Sequence, residues 1–508
     1  MDNQPFDATT PSSFLRRLIR SILVPALVVS SAFLSFAQER APSDQIAELN
    51  ETTDKCDVLI DMRHAHDFSN YPLTIDDRFY HRIYSFNKAF RRLQDRGVVV
   101  AKYSRDVPID AETLARCKTL FLNLPSGDKS PFFVSEILAI VDFVKKGGSV
   151  FFIVDHTNCY FHQSRLAPLF CELDVAPQYY GVCDATQNLG EGFGWIYFNK
   201  FTKSPITQGL RQIAFQTGGG VDPRDAVVWS SEDSWQDKAG MPIYGETDLA
   251  YFGNFARDED EPVGSSDAVS IKKFGQGKIV VVGDQNLFSA FFLQYLDNYR
   301  LWLNIFAWTL DRPDLADVKT YFESARKERT LLCWEELERN VKRFGNPDSN
   351  GYYHVYTELC RRYNVFGAAN DDSDLGLEAD ALLWIGGGAE ISQLGVDLGV
   401  KQLKRGKTLI ALDPAKDVVN DKSSGVAKVL QATRAKSKAQ NANAETNDAP
   451  SLKKSVERFE TPTGGRLVLL RGYGSFDNSE LPRPEEKLLL FQQENLNALL
   501  REIDAALK

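Results

Sequence analysis

The sequence predicts an α/β fold: a parallel sheet with helices on both faces, repeated in tandem as a smaller, diverged second unit. Three observations predict it. Strand-like and helix-like stretches alternate from residue 55 to about 312. The strand stretches are continuous apolar runs, as expected where a sheet is covered on both faces, and not the half-exposed alternation of an open sheet. The same succession returns, weakened, after residue 330.

The pattern is clearest over residues 135–158. Ile137, Ile140, Val141 and Val144 recur at steps of three and four, so one face of a helix is apolar, while Glu136, Asp142 and Lys145 fall elsewhere. Gly147-Gly148 ends that helix, and Val150 to Val154 is a buried strand that stops at Asp155-His156. Before it, Asp57 to Met62 reads as a first strand opening into a polar loop with His64 and His66. A helix is expected from about Phe79 to Arg96, with Ile83, Phe86, Phe90 and Leu93 on one stripe and Gly97 as its cap. Strands at Val98–Tyr103 and 119–124 follow. From 157 to 277 the pattern loosens into aromatic and glycine-rich pieces, expected as short strands and long loops over one end of the sheet. Order returns with the strand from Gly277 to Gly283-Asp284 and a helix after Asp297, a plausible N-cap.

The repeat can be written residue by residue. Residues 147–156 match 405–414, with Asp155 on Asp413 and His156 on Pro414; 119–127 match 381–388; the run from Gly464 takes the part of 277–286. The expected boundaries are a signal peptide at 1–37, a linker at 38–54, the first unit at 55–312, a linker at 313–329 and the second unit at 330–508. Inside the last, about 420–455 is rich in Lys, Ala, Asn, Ser and Gln and is expected to be disordered.

At the amino terminus, Arg16, Arg17 and Arg20 precede the apolar run Ile22 to Phe36, and Ser35-Phe36-Ala37 ends it with small residues. Export to the periplasm or beyond is therefore expected, with cleavage after Ala37; an uncleaved anchor is the alternative, and the sole expected membrane contact. The net charge of -10 excludes a general nucleic-acid binder. Seven cysteines are an odd number for an exported chain: Cys159, Cys171 and Cys183 would supply one disulfide at most, and buried thiols are the simpler expectation.

Candidate chemistry gathers at strand ends. Asp61, His64 and His66 follow the first strand, Asp155 and His156 the central one, and Asp284 the last. Carboxyl ends of parallel strands share one edge, where open α/β sheets bind ligands. His64, His66 and His156 are the candidate ligands of a divalent metal, the one cofactor the pattern suggests, which would activate water for hydrolysis of a glycan or peptide. The alternative is that Asp155 and Asp284 cap following helices and the histidines bind loop carbonyls. Trp195, Trp229, Trp235, Tyr179 and Tyr180 would offer flat faces to a sugar or peptide, or else fill the core. Gly218-Gly219-Gly220 and Gly386-Gly387-Gly388 lack the context of phosphate cradles and read as turns.

The strand-end histidines of residues 59–66, the helix-turn-strand at 143–156, SPITQGLRQIAF at 204–215 and the long run 277–308 together resemble the class I glutamine-amidotransferase-like superfamily. Within it they are most similar to exported proteins related to gliding-motility transporter auxiliary subunits and, more distantly, to intraflagellar-transport proteins sharing the domain. The resemblance spans roughly residues 55–310. It implies a binding or scaffolding role in the cell envelope, with a transporter or a surface glycan or peptide as partner. The enzymes of the superfamily place a nucleophilic cysteine in a glycine-flanked elbow after the central strand. Here that place reads Val154-Asp155-His156-Thr157, so glutamine hydrolysis is not expected; Cys159, with His162 after it, comes too late.

Overall fold

The computed structural model describes residues 46–49, 55–66, 84–190, 194–239, 253–317, 328–335, 344–348, 351–369, 378–386, 391–438, 455–471 and 490–508. The signal segment, the start of the helix expected from Phe79, and residues 439–454 lie outside them.

In chain order the first unit contains β1 (Ala47–Glu48), β2 (Val58–Asp61), α1 (Asn87–Gln94), β3 (Val100–Tyr103), β4 (Thr119–Asn123), α2 (Val134–Lys145), β5 (Ser149–Ile153) and α3 (His162–Leu173). It continues through β6 (Tyr180–Asp184), β7 (Trp195–Phe198), β8 (Lys200–Phe201), β9 (Ile213–Gln216), β10 (Ala226–Trp229), β11 (Ser234–Lys238), β12 (Asp267–Phe274), β13 (Gly277–Val282) and α4 (Asn298–Thr309). The second contains β14 (Thr330–Glu335), α5 (Tyr353–Cys360), β15 (Asn364–Ala369), β16 (Ala381–Ile385), α6 (Gln393–Lys404), β17 (Thr408–Leu412), α7 (Gly425–Thr433), β18 (Lys436–Lys438), β19 (Ser455–Glu460), β20 (Arg466–Arg471) and α8 (Leu490–Leu507).

The first sheet runs β1-β3-β2-β4-β5-β13-β12-β10-β8. Its pairings from β1 to β13 are parallel, and those onward to β12, β10 and β8 are antiparallel. The loosely patterned middle of the chain thus does more than cover one end: β12, β10 and β8 widen the sheet, while β6 pairs β11 and β7 pairs β9 in two small sheets. The second sheet runs β15-β14-β16-β17-β20-β19-β18, again parallel as far as β20 and antiparallel beyond it. The order β3-β2-β4-β5-β13-β12-β10 of the first sheet is the same path with the same strand directions.

Side-chain alternation sends each strand into two cores. Phe121 and Phe151 turn toward α1 and α4, where Trp302 lies between Phe90, Phe288 and Phe306 at ring separations of 4.7–5.2 Å. Leu120, Leu122, Val150 and Phe152 turn the other way, onto Ile140, Val144, Leu166 and Phe170. Helices on both faces explain why these strands carry no polar alternation. The second sheet divides likewise, Leu332, Trp334 and Trp384 joining the same buried cluster as Trp302.

Several expectations need correction. Residues 421–438 are ordered: Ser424 caps α7 by accepting from the Ala427 amide, and Val426 and Val429 are buried at a three-residue spacing that the polar composition obscured. In the linker expected at 38–54, Ile46 and Leu49 are buried around β1, which adds an edge to the sheet. In that expected at 313–329, Leu315 is buried in a single turn, Pro313–Ala316. Asp297 precedes α4 but does not cap it with its side chain; its carboxylate accepts instead from the Arg211 and Gln212 amides. All seven cysteines are free, five of them buried.

A segment of the first unit closes the edge of the second sheet. Tyr295 forms a parallel bridge with Gly367 of β15; Leu296 donates to the Gly367 carbonyl, and Gly367 donates to Gln294 at 2.9 Å. Gly367 has no Cβ because one would enter the Tyr295 ring, whose hydroxyl donates to Glu335. An unpaired β15 edge would expose backbone donors and acceptors; this contact satisfies those of Gly367 and links the two sheets. Replacing Tyr295 by Ala should cost about 3–5 kcal/mol of unfolding free energy in urea, and Tyr295→Phe about 1–2 kcal/mol through the lost partner of Glu335. A loss near zero for the alanine variant would show that the units do not depend on this ring.

Candidate functional site

At the carboxyl edge of the first sheet the expected residues divide into two clusters. One is built around Glu136 at the start of α2, which is fully buried. Its carboxylate accepts from the Phe133 amide at 2.9 Å and the Ile109 amide at 2.8 Å, and pairs with Arg63 Nη1 at 3.2 Å. His64 lies flat against Phe132, ring centres 3.9 Å apart, with Nδ1 2.8 Å from Asp61 Oδ2 and Nε2 3.7 Å from Glu136 Oε2. Burial by itself would lower the His64 pKa, but Asp61 and then Glu136 outweigh it and push it up to about 9. Burial would likewise raise the Glu136 carboxyl, yet the contact with His64 and the two amides hold it below its usual range. Arg63 Nη1 also lies 2.5 Å from His64 Nε2, a contact that alone favours an unprotonated nitrogen there. Two buried carboxylates against a single guanidinium leave an uncompensated negative charge, so we take the imidazolium as the state that balances the cluster.

The second cluster sits at the ends of β5 and β13. Asp155 is 2% and Asp284 0% exposed. Asp155 Oδ1 accepts from the His156 amide at 2.7 Å; Asp284 accepts from the Gln216 amide at 2.7 Å and the Asn286 amide at 2.6 Å. Burial, then the charge of Asp284, raises the Asp155 pKa well above normal, and burial pushes Asp284 up to about 7. Neither carboxylate caps a long helix; each ties local amides, and Asp284 thereby holds the end of β9 against β13.

The edge itself is filled by the chain. The Gly218 carbonyl accepts from the Val182 amide, and Gly219 donates its amide to the Gly283 carbonyl at 2.6 Å, so residues 216–221 cross directly over the ends of β5 and β13. A Cβ on Gly219 would stand 2.8 Å from His156 Cα and the Tyr180 carbonyl and 2.9 Å from the Asp155 carbonyl. One on Gly218 would meet Asp284 Cβ at 2.8 Å, and one on Gly220 the Tyr180 ring at 2.5 Å. These glycines are read as turns in the sequence; the structure shows a strap that needs bare backbone. The second run lies mostly outside the described residues.

His64, His66 and His156 do not converge. His64 is held by the first cluster, His66 stacks on Tyr160 at 3.8 Å, and His156 Nδ1 is 3.2 Å from Thr157 Oγ1. Among the described residues one group of three ligand-type side chains comes together: Asp155, His156 and Cys159, whose donor atoms all lie within 4.8 Å of one another. The sequence marks the first two as strand-end candidates and Cys159 as a disulfide partner, a buried thiol or a nucleophile, not as a ligand. The nucleophile role fails on geometry and charge. His162 Nδ1 donates to the Cys159 carbonyl at 2.6 Å and Nε2 accepts from the Asp155 amide at 3.2 Å, so both ring nitrogens serve the backbone. Burial lowers the His162 pKa to about 3 and raises that of the Cys159 thiol well above normal.

Arg63, Glu136 and Thr157 were missed altogether. Glu136 had only its place in a first helical turn as a signal. The aromatics do not form a binding platform. Trp235 is buried, Trp195 packs edge-on to Tyr353 at 4.9 Å, Tyr180 donates to Asp267 at 3.0 Å, and Trp229 donates to Thr202. A groove of about 440 Å³ lies at the opposite, amino edge of the strands, beside Lys118, Asp142, Lys146 and Asp311, far from these side chains in the fold.

No family of known proteins matches the chain, nor does any curated protein. Several solved structures align with about half of it at low identity. The mmIFT52 N-terminal domain is 13% identical with a TM-score of 0.37, covering 50% of this chain and 97% of its own. A ThuA-like protein from Bacteroides uniformis is 14% identical with a TM-score of 0.30, over 52% and 95% of the two chains. A cytoplasmic protein of Salmonella typhimurium LT2, STM1381, is 12% identical with a TM-score of 0.30, over 50% and 98%.

Two outcomes test the site. Alanine at Gly219 meets backbone on three sides, which cannot move aside, and should lower stability by about 1–3 kcal/mol in urea; a change within error would mean that the strap is loose. The raised pKa of His64 makes its contribution, up to roughly 3 kcal/mol, full below about pH 6.5 and lost as pH rises through about 9. The stability difference between wild type and His64→Gln should therefore shrink between those pH values; a constant difference would place the neutral ring in the folded state.

Proposed function

We propose that this chain is an exported, non-catalytic amidotransferase-like protein with a binding or scaffolding role in the cell envelope, beside a transporter or a surface glycan or peptide. The observation that carries the reading is the closed carboxyl edge. Where an open α/β enzyme presents its substrate cleft, residues 216–221 lie in van der Waals contact with the strand ends. The elbow position holds Asp155-His156 in place of a nucleophile, and the nearest thiol, Cys159, is buried, while both ring nitrogens of His162, the histidine that follows it, serve the backbone. A hydrolase built on His64, His66, Asp155 and His156 would need those groups around one point, and they are dispersed: His64 lies with Asp61 and Glu136, His66 against Tyr160, and Asp155 with His156.

Export rests on the basic, apolar and small-residue succession of residues 16–37, and the envelope role on the resemblance to exported transporter-auxiliary proteins. The matching strand orders of the two sheets support descent of residues 330–508 from a copy of the first unit. In that copy Asp413 stands where Asp155 does, and Pro414 replaces the histidine.

The purified chain should release no ammonia from glutamine above a buffer blank, and Cys159 should resist iodoacetamide in the native state while reacting in urea. Selective native alkylation of Cys159 coupled to glutamine turnover would overturn the non-catalytic reading. Expression with residues 1–37 intact should yield a periplasmic product beginning at Gln38 by intact mass; a cytoplasmic product of full mass would overturn export.

A further inference from the structure

We infer that Asp155, His156 and Cys159 supply three ligands of a zinc site at the end of β5. The inference stands apart from the role proposed above, since a zinc ion enclosed there can hold the turn after β5 together without meeting a substrate.

The turn after β5 brings the three groups together. Thr157, Tyr160 and Phe161 all take positive φ, at 51°, 52° and 62°, an unusual cost for residues with side chains. They fold the chain back so that the Cys159 amide donates to the His156 carbonyl, and the thiol returns to the carboxylate and imidazole that precede it. His156 is oriented as a metal-bound histidine commonly is: Nδ1 meets Thr157 Oγ1 at 3.2 Å, and Nε2 faces Asp155 Oδ1 at 3.8 Å. That second distance is too long for a hydrogen bond. It suits two donors of one ion, because zinc–nitrogen and zinc–oxygen bonds of about 2.0–2.2 Å at tetrahedral angles set donors roughly 3.3 Å apart. All three donors lie within 4.8 Å of one another, so an inward shift of about 1 Å would bring them onto one ion, with water in the fourth tetrahedral position.

Burial supplies the second argument. The three residues are 2%, 5% and 1% exposed, and Gly219 lies against the backbone of Asp155 and His156. Enclosed without a cation, the carboxyl and the thiol hold their protons; a divalent cation would take the place of the protons and bind the carboxylate and the thiolate together. Mixed oxygen, nitrogen and sulfur donors favour zinc over magnesium or calcium, which prefer oxygen alone. Binding displaces the thiol proton and any carboxyl proton to solvent, with no change of oxidation state.

The test uses the purified chain stripped with chelator and titrated with zinc and, separately, with cobalt(II). We expect one zinc per chain, a rise in melting temperature, and a thiolate-to-cobalt charge-transfer band. Cys159→Ser should abolish the band, and both it and His156→Gln should weaken zinc binding by more than about tenfold, while His64→Gln binds as wild type does. Zinc well below one per chain, a cobalt complex without the thiolate band, or unchanged affinity in Cys159→Ser would each overturn the site. The band is read on the wild-type chain, so the result does not depend on the variants folding.

Discussion

The carboxyl edge of the first sheet is governed by how closely two stretches of backbone can approach. Residues 218–220 pass between the ends of β5 and β13 and the start of β6 at distances that leave no room for a Cβ. From that crossing the surrounding order follows. The Gly219 amide is spent on the Gly283 carbonyl, the Gly218 carbonyl fixes Val182, and the carboxylates of Asp155 and Asp284 are enclosed and turned to neighbouring amides. A cleft that would be wet in an open sheet becomes dry, and the chemistry available there changes with it. Exposed, the same carboxylates would be ordinary anions; enclosed, they hold protons or require a cation.

The Glu136 cluster solves a related problem at β2. A carboxylate with no exposure is tolerable only with several donors, and two amides, a guanidinium and an imidazole supply them. Because Glu136 begins α2 while Asp61, Arg63 and His64 leave β2, the network ties a helix start to a strand end across one face of the sheet. Its role is consistent with positioning: His64 is stacked, paired and buried, which suits an anchor better than a group meeting substrate.

The two units behave as parts of one core. Trp302 of α4 and Trp334 and Trp384 of the second sheet belong to one buried cluster. The Tyr295–Gly367 bridge extends β15 with a segment that leaves β13. An edge strand that would otherwise invite pairing with another chain is thereby covered. A second unit docked in this way contributes stability and surface even without strand-end histidines of its own.

The sequence by itself determined the alternation of strands and helices, because burial on both faces imposes continuous apolar runs and helical stripes that survive in any reading of Val150–Val154 or Ile137–Val144. It also marked Asp155, His156 and Asp284 as strand-end groups, and the tandem succession after residue 330. It hid α7, whose two buried valines sit in a polar composition, and the antiparallel strands β12, β10 and β8, whose pairing depends on distant partners. Only the tertiary structure decided which strand-end groups meet. His64 and His156 leave strands of one sheet edge that are separated by β4 alone, but the loops that follow turn them toward different partners, Glu136 in one case and Thr157 with Asp155 in the other. Sequence spacing fixes where a strand ends; where its next side chain points depends on the backbone that lies over it, and here that backbone is three glycines some sixty residues further on.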